Sequence, residues 1–123
     1  MISYQIYKLI HFFGIFTVLL ALGVTCFHAA RGGTRADNPF RRALAIAHGG
    51  GLFLVLLGGF GMLARLGLVQ GVPGWIMAKL GIWVIFGAAI ALPYRSRGIA
   101  RPLLWTLPLL GVLAAYFALY KPF

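Results

Sequence analysis

The stretch GWIMAKLGIW, residues 74 to 83, is apolar except for Lys79, and the chain stays apolar after it until Tyr94 and Arg95. A helix needs about 20 apolar residues to cross about 30 Å of hydrocarbon. Three other stretches, residues 4–30, 43–64 and 103–120, have a similar length and composition. Together with the run over 74–93, they predict four transmembrane helices in a single domain that covers residues 1–123.

The whole chain is apolar enough to support this prediction. Of its 123 residues, 62% are hydrophobic, and the mean hydropathy is +0.96, which is too high for a soluble domain of this size. The connections between the apolar runs are short and rich in Gly and Pro, so successive helices should run antiparallel. We therefore predict an all-α, integral membrane, up-down-up-down four-helix bundle that contacts the lipid bilayer, with no room for a nucleic-acid module.

The positive charge is concentrated in two of the three connections. The first and third connections hold seven of the eleven basic residues: Arg31, Arg35, Arg41, Arg42, Arg95, Arg97 and Arg101. Because basic loops favour the cytoplasmic side of a membrane, both termini are expected outside. These arginines follow the first apolar run rather than precede it, so we interpret that run as a retained helix and not as a signal peptide.

Four ionisable side chains fall inside the predicted helices, where such groups are costly and usually pair or function. His11 and Lys79 should share a level, at about 10 Å and 8 Å below the outer boundary. His28 and His48 should lie in the opposite leaflet. His48 is followed by three glycines, which fit either a flat ligand or plain helix packing, and His28 also fits an ordinary interfacial position beside Arg31.

Lys79 has two interpretations from sequence alone. Its amine could extend to the outer headgroups beside Trp75, as lysines near helix ends do. It could instead face inward near His11. The only acidic residue, Asp37, lies in the first connection, so an inward amine needs a ligand carboxylate, a backbone carbonyl or the neutral state.

The lack of carboxylates also removes several classes of function. Proton-coupled transporters generally use membrane carboxylates, hydrolase triads need a base-orienting acid or amide, and oxygen-ligated cation sites need acidic groups. One cysteine with three dispersed methionines does not suggest a copper site. A haem site requires only axial histidines, apolar walls and basic partners for the propionates. His11 and His48 are the candidate iron ligands, but about 12 Å of membrane depth separates them. A six-coordinate haem would therefore use His28 with His48, or His11 with a ligand other than histidine.

Three segments carry a family resemblance that spans nearly the whole chain: YKLIHFFGIF (7–16), AHGGGLFLVLLGGFGML (47–63) and GWIMAKLGIWVIFGAAIALPYRSR (74–97). The chain resembles the SirB-type proteins, small four-helix proteins of the bacterial inner membrane. More distantly it resembles the HemJ-type protoporphyrinogen oxidases and the copper-resistance D membrane domain. The resemblance rests on His11 in the first helix and on the start of the third helix, with Gly74, Trp75 and Lys79.

The resemblance implies a fold more firmly than a function. The HemJ-type similarity implies a bound haem b and removal of hydrogen from protoporphyrinogen, with His11 and Lys79 as the functional pair. Those relatives tend to have a histidine at the position of Ala78, and the closer SirB-type similarity implies no assigned chemistry.

Two classes of function therefore remain open. One is a redox or haem-handling protein. The other is a non-catalytic subunit or assembly factor that contacts partner membrane subunits or a second copy of itself. A transporter or channel dimer fits less well because few polar residues are available to line a pathway.

Overall fold

The computed structural model describes residues 2–122, and its regular secondary structure is entirely helical. The helices are α1 (Tyr4–Ala30), α2 (Arg41–Arg65), α3 (Gly74–Ala89), α4 (Leu92–Arg95) and α5 (Arg97–Tyr120). Helices α1, α2 and α5 are long and apolar enough to cross a membrane, whereas α3 is a shorter apolar helix of 16 residues. The predicted all-α class is confirmed.

Local sequence explains where the first two helices begin and end. The Ser3 hydroxyl caps the start of α1 by accepting a hydrogen bond from the Ile6 amide at 3.3 Å. Each helix then closes at a glycine with positive φ, Gly32 at 90° after α1 and Gly67 at 74° after α2. In both places the following amide bonds back to a carbonyl of the last turn, which is the Schellman arrangement.

Three predicted boundaries differ from the structure. The second helix begins at Arg41 rather than at 43. The predicted run over 74–93 divides into α3 and α4, because Pro93 has no amide hydrogen to donate to the Ala89 carbonyl, where α3 ends. The last helix begins at Arg97 rather than at 103, so Pro102 lies inside α5 and not in its first turn. The proline leaves only the carbonyl of the exposed Gly98 without its helical partner.

Helices α1 and α2 pack antiparallel at backbone distance. A Cβ atom built on Gly14 would lie 2.6 Å from the Gly51 carbonyl oxygen, and one built on Gly58 would lie 2.6 Å from the Tyr7 carbonyl oxygen. Only glycine permits this approach. Small residues at Gly14, Ala21, Gly51 and Gly58 predict close packing of these two helices from the sequence, and the contact confirms it.

Helix α3 runs antiparallel to α2 and α5. Across the α2–α3 contact, the Trp83 indole donates to the Leu52 carbonyl at 3.0 Å, and the His48 ring donates to the Phe86 carbonyl at 2.9 Å. At the far end of α5, the Lys121 ammonium lies 5.5 Å from the centre of the Trp75 ring.

These contacts define two ends of the molecule. The arginine end contains the 31–40 connection, α4 and the start of α5, and the cavity end contains the start of α1, the 66–73 connection and Lys121. The buried core lies toward the arginine end, where α1, α3 and α5 meet through Val18, Leu22, Cys26, Ala89 and Leu107. Toward the cavity end the same helices enclose open space instead.

Candidate ligand-binding site

A cavity of about 460 Å³ lies between α1, α2, α3 and α5. This volume falls within the range of small-molecule binding sites. The walls are mainly apolar and include the large rings of Trp75, Trp83 and Phe86. The basic groups in the lining are few: Lys8, His11, Lys79 and Lys121. An apolar chamber with a few convergent polar groups is the usual form of a site for an amphipathic ligand.

His11 is the most deeply buried of these polar groups, with only 8% of its surface exposed. Its Nδ1 lies 2.8 Å from the Val55 carbonyl oxygen. Because a carbonyl can only accept, Nδ1 carries the hydrogen, and in the neutral ring Nε2 keeps its lone pair. The ring lies against Gly59, where an added Cβ would be 3.6 Å from it. The only hydrogen bond of the His11 ring within residues 2–122 is the one from Nδ1, so the imidazole is held in place with Nε2 free to bind.

Lys79 lies in the wall of the same cavity and is half-buried. It is close enough to His11 for the two groups to interact electrostatically. Of the described residues that line the cavity, none is acidic. The structure therefore places His11 and Lys79 at one site, and any carboxylate that meets the amine must come with a ligand.

His48 lies outside the cavity lining and has a structural contact instead. Its Nε2 donates to the Phe86 carbonyl, one turn from the point where Trp83 donates to Leu52. The two bonds run in opposite directions across the α2–α3 contact. His48 therefore fastens α3 to α2 beside the cavity, and the structure does not bring it together with His11.

His28 belongs to a hydrogen-bonded network at the arginine end. The Tyr94 oxygen accepts from the Asn38 amide at 3.0 Å, and its own O–H can donate to His28 Nδ1 at 2.7 Å. His28 Nε2 lies 3.1 Å from Asp37, to whose carboxylate the Thr34 amide also donates at 3.0 Å. Both ring nitrogens of His28 are thus engaged. Of the four residues that the sequence singles out, only His11 and Lys79 share the cavity.

Two lysines in the lining were not predicted from the sequence. Lys8 lies three residues before His11, so the helical period places both on one face of α1, and this spacing could have revealed it. Lys121 follows the last helix, and only the antiparallel packing of α5 on α3 brings it over Trp75. No pattern within the sequence indicates that contact.

The donor set limits which metals the site can hold. Among residues 2–122, no three His, Cys, Asp or Glu side chains lie close enough together to bind a metal ion directly. Haem iron differs because the porphyrin supplies four nitrogens and the protein need supply a single axial histidine. The free Nε2 of His11 fits that requirement.

Comparison with family models, curated proteins and solved structures finds no match to this chain. The resemblance to the SirB-type and HemJ-type proteins stays a prediction from the quoted segments. The function proposed below rests on the geometry of the cavity.

Proposed function

We propose that this protein is an integral membrane four-helix bundle of the bacterial inner membrane, with the arginine end in the cytoplasm and both termini outside. Three helices have the length and hydropathy of membrane spans, and α3 with α4 supplies the fourth segment over residues 74–95. The seven arginines of the first and third connections all lie toward one end. That asymmetry is what the positive-inside rule favours.

We further propose that the cavity binds haem b and that the protein has a redox or haem-handling role. The observation that carries this proposal is the hydrogen bond from His11 Nδ1 to the Val55 carbonyl at 2.8 Å. Haem-ligating and other metal-ligating histidines usually donate their second nitrogen to a backbone carbonyl or carboxylate, which fixes the tautomer and the ring orientation. His11 Nε2 is the proposed axial ligand.

The rest of the cavity fits the same group. Its apolar walls suit a porphyrin face, and its lysines suit the propionates. Bound haem supplies one-electron chemistry, and the protein supplies binding, orientation and electrostatics. In this proposal Val55 holds His11 in its ligating tautomer, Lys79 neutralises a carboxylate, and Trp83 helps to exclude water.

A second candidate function is that of a non-catalytic subunit or assembly factor, and the exposure of α5 favours it. Of the 24 residues in α5, only Ala100 and Leu107 are buried. The exposed face is strongly apolar, with Trp105 75% and Val112 65% exposed. Lipid alone can cover this face, but so can the helix of a partner membrane subunit.

The absorption spectrum of the purified protein tests the haem proposal. The protein is produced in cells supplied with haem precursor, purified in mild detergent, and assayed for haem by the pyridine haemochrome method. We expect a Soret band and about one haem per chain. A colourless protein that also fails to take up added haemin contradicts the haem proposal and leaves the subunit role as the better account.

A further inference from the structure

We propose that Lys8 and Lys121 form an anion subsite at the mouth of the cavity, which binds the carboxylate or phosphate head of a single-chain amphiphile while its tail lies inside. The inference rests on the ligand cavity proposed above, but it needs no haem. It also gives two of the cavity lysines, Lys8 and Lys121, a role that does not depend on haem propionates.

Aromatic rings hold both lysines at the mouth. The Lys8 ammonium lies 5.9 Å from the centre of the Tyr4 ring and 6.0 Å from that of Phe12. The Lys121 ammonium lies 5.5 Å from the centre of the Trp75 ring. Contacts of this length attract a cation to the ring face and limit how far each amine can swing away. Lys8 on α1 and Lys121 directly after α5 thus both bring a positive charge to the lining of one cavity.

Within residues 2–122, no acidic side chain neutralises these charges. The lining described for the cavity contains three lysines and no carboxylate. The only acidic residue of the chain, Asp37, lies at the arginine end and pairs with His28 at 3.1 Å. Because charges interact more strongly next to an apolar interior than in water, an anionic head at this mouth gains attraction from both lysines.

Below the lysines the cavity has the character that an alkyl chain requires. The part of α5 that lines it offers only small side chains before Leu119, namely Gly111, Ala114, Ala115 and Ala118. The opposite walls come from α2 and α3 and include Leu52, Ile82 and Phe86. A chain that enters this space removes apolar surface from contact with water, and no polar group on α5 obstructs it.

Two kinds of lipid share this chemistry: free fatty acids, with a carboxylate head, and lipid phosphate monoesters. Either can reach the mouth from the membrane leaflet that surrounds the cavity end. Trp75 and Trp83 line the cavity, whereas Trp105 lies outside it and is 75% exposed. A brominated chain inside the cavity should therefore quench the first two tryptophans.

The experiment measures fluorescence quenching in the Trp105→Phe variant, without haem, in phosphatidylcholine nanodiscs. The probe is 9,10-dibromostearate, and the uncharged control is 9,10-dibromostearyl alcohol. We expect the acid to bind more tightly than the alcohol. Because ion pairs at an open mouth are partly screened, we expect Lys8→Met and Lys121→Met each to weaken binding of the acid by about two- to fivefold. Arg101→Met removes a charge at the other end and should change nothing.

Competition identifies the source of the anion, since palmitate and hexadecyl phosphate should both displace the probe and hexadecanol should not. Whichever of palmitate and hexadecyl phosphate competes more strongly carries the preferred headgroup. The proposal is overturned if the acid and the alcohol quench equally, if the double lysine variant binds the acid normally, or if neither probe binds. If the protein takes up haem but does not bind the acid, only the proposed anion subsite is overturned. If it binds the acid but takes up no haem, only the haem proposal is overturned.

Discussion

His11 Nδ1 donates to the Val55 carbonyl across the α1–α2 contact, 44 residues along the chain and 2.8 Å away. The same contact is the one that Gly14, Gly51 and Gly58 make possible, because larger side chains would force the two backbones apart. The orientation of His11, the candidate axial ligand, therefore depends on the close packing that these glycines allow. A change that separates α1 from α2 should disturb His11 even when it leaves the histidine itself intact.

Gly58→Ala should destabilise the protein by about 1 to 3 kcal/mol, as overpacking in a close-packed interior does. The added Cβ would meet backbone atoms of Tyr7 and His11 at 2.6 Å, and backbone atoms cannot turn aside as a side chain can. The measurement is the unfolding midpoint in detergent.

Gly50→Ala is the matched control in the same helix. No atom lies within 4 Å of a Cβ at Gly50, so this change should stabilise α2 by about 0.5 kcal/mol through its effect on backbone entropy. Equal midpoints for the two variants would show that the α1–α2 contact is not as close as described.

Lys79→Met should weaken haem retention by about tenfold and leave the fold intact. The substitution removes the amine that we propose meets a haem propionate, and charge-assisted bonds of this kind contribute about 1.5 to 3 kcal/mol. Because the described lining holds no carboxylate, the ligand-free protein loses no ion pair within the cavity and its unfolding midpoint should not fall. Haem transfer to apomyoglobin gives the rate of loss. Unchanged retention would indicate that Lys79 serves as a membrane anchor instead.

The sequence predicts the helical class and the close α1–α2 packing because both depend on local pattern, namely apolar length and the spacing of small residues. It also predicts the shared level of His11 and Lys79 from the rise per residue alone. It misplaces the start of α5, since Pro102 is compatible with either the first turn or a position further inside. Whether a proline begins a helix depends on the contacts of the residues before it, and those contacts are tertiary.

The roles of His28 and His48 could not be derived in this way. His48 meets the Phe86 carbonyl and His28 meets Tyr94, and each partner lies on another helix. A histidine that bonds a distant backbone or side chain looks the same in sequence as one that binds iron. Lys121 was missed for a similar reason, because its position over Trp75 follows from the antiparallel course of α5.

Tyr94→Phe should destabilise the arginine end by about 1 to 3 kcal/mol. The hydroxyl joins His28 at 2.7 Å and Asn38 at 3.0 Å, and its loss leaves two partly buried polar groups without their partner. Tyr116→Phe is the control, since Tyr116 is 45% exposed and its hydroxyl can remain hydrated. The thermal unfolding midpoints of the two variants are compared. Equal midpoints would mean that the network contributes nothing to stability.

Reporter fusions test the proposed orientation in the membrane. Alkaline phosphatase joined after Arg35 or after Arg97 should be inactive, and green fluorescent protein at the same points should fluoresce, because both sites lie in the arginine-rich connections. The complementary fusion after Gln70 should give the opposite pattern. Phosphatase activity after Arg35 or Arg97 would reverse the orientation.

Rescue of a His11→Gly variant by imidazole tests axial ligation by His11 most directly. The variant should lose the Soret band of the haem-loaded protein, and added imidazole should restore it by occupying the space of the missing ring. His48→Gly, which removes a histidine that bonds the Phe86 carbonyl, should keep its haem band without imidazole. A His11→Gly protein that retains an unshifted Soret band without imidazole would contradict the assignment of His11 as the ligand.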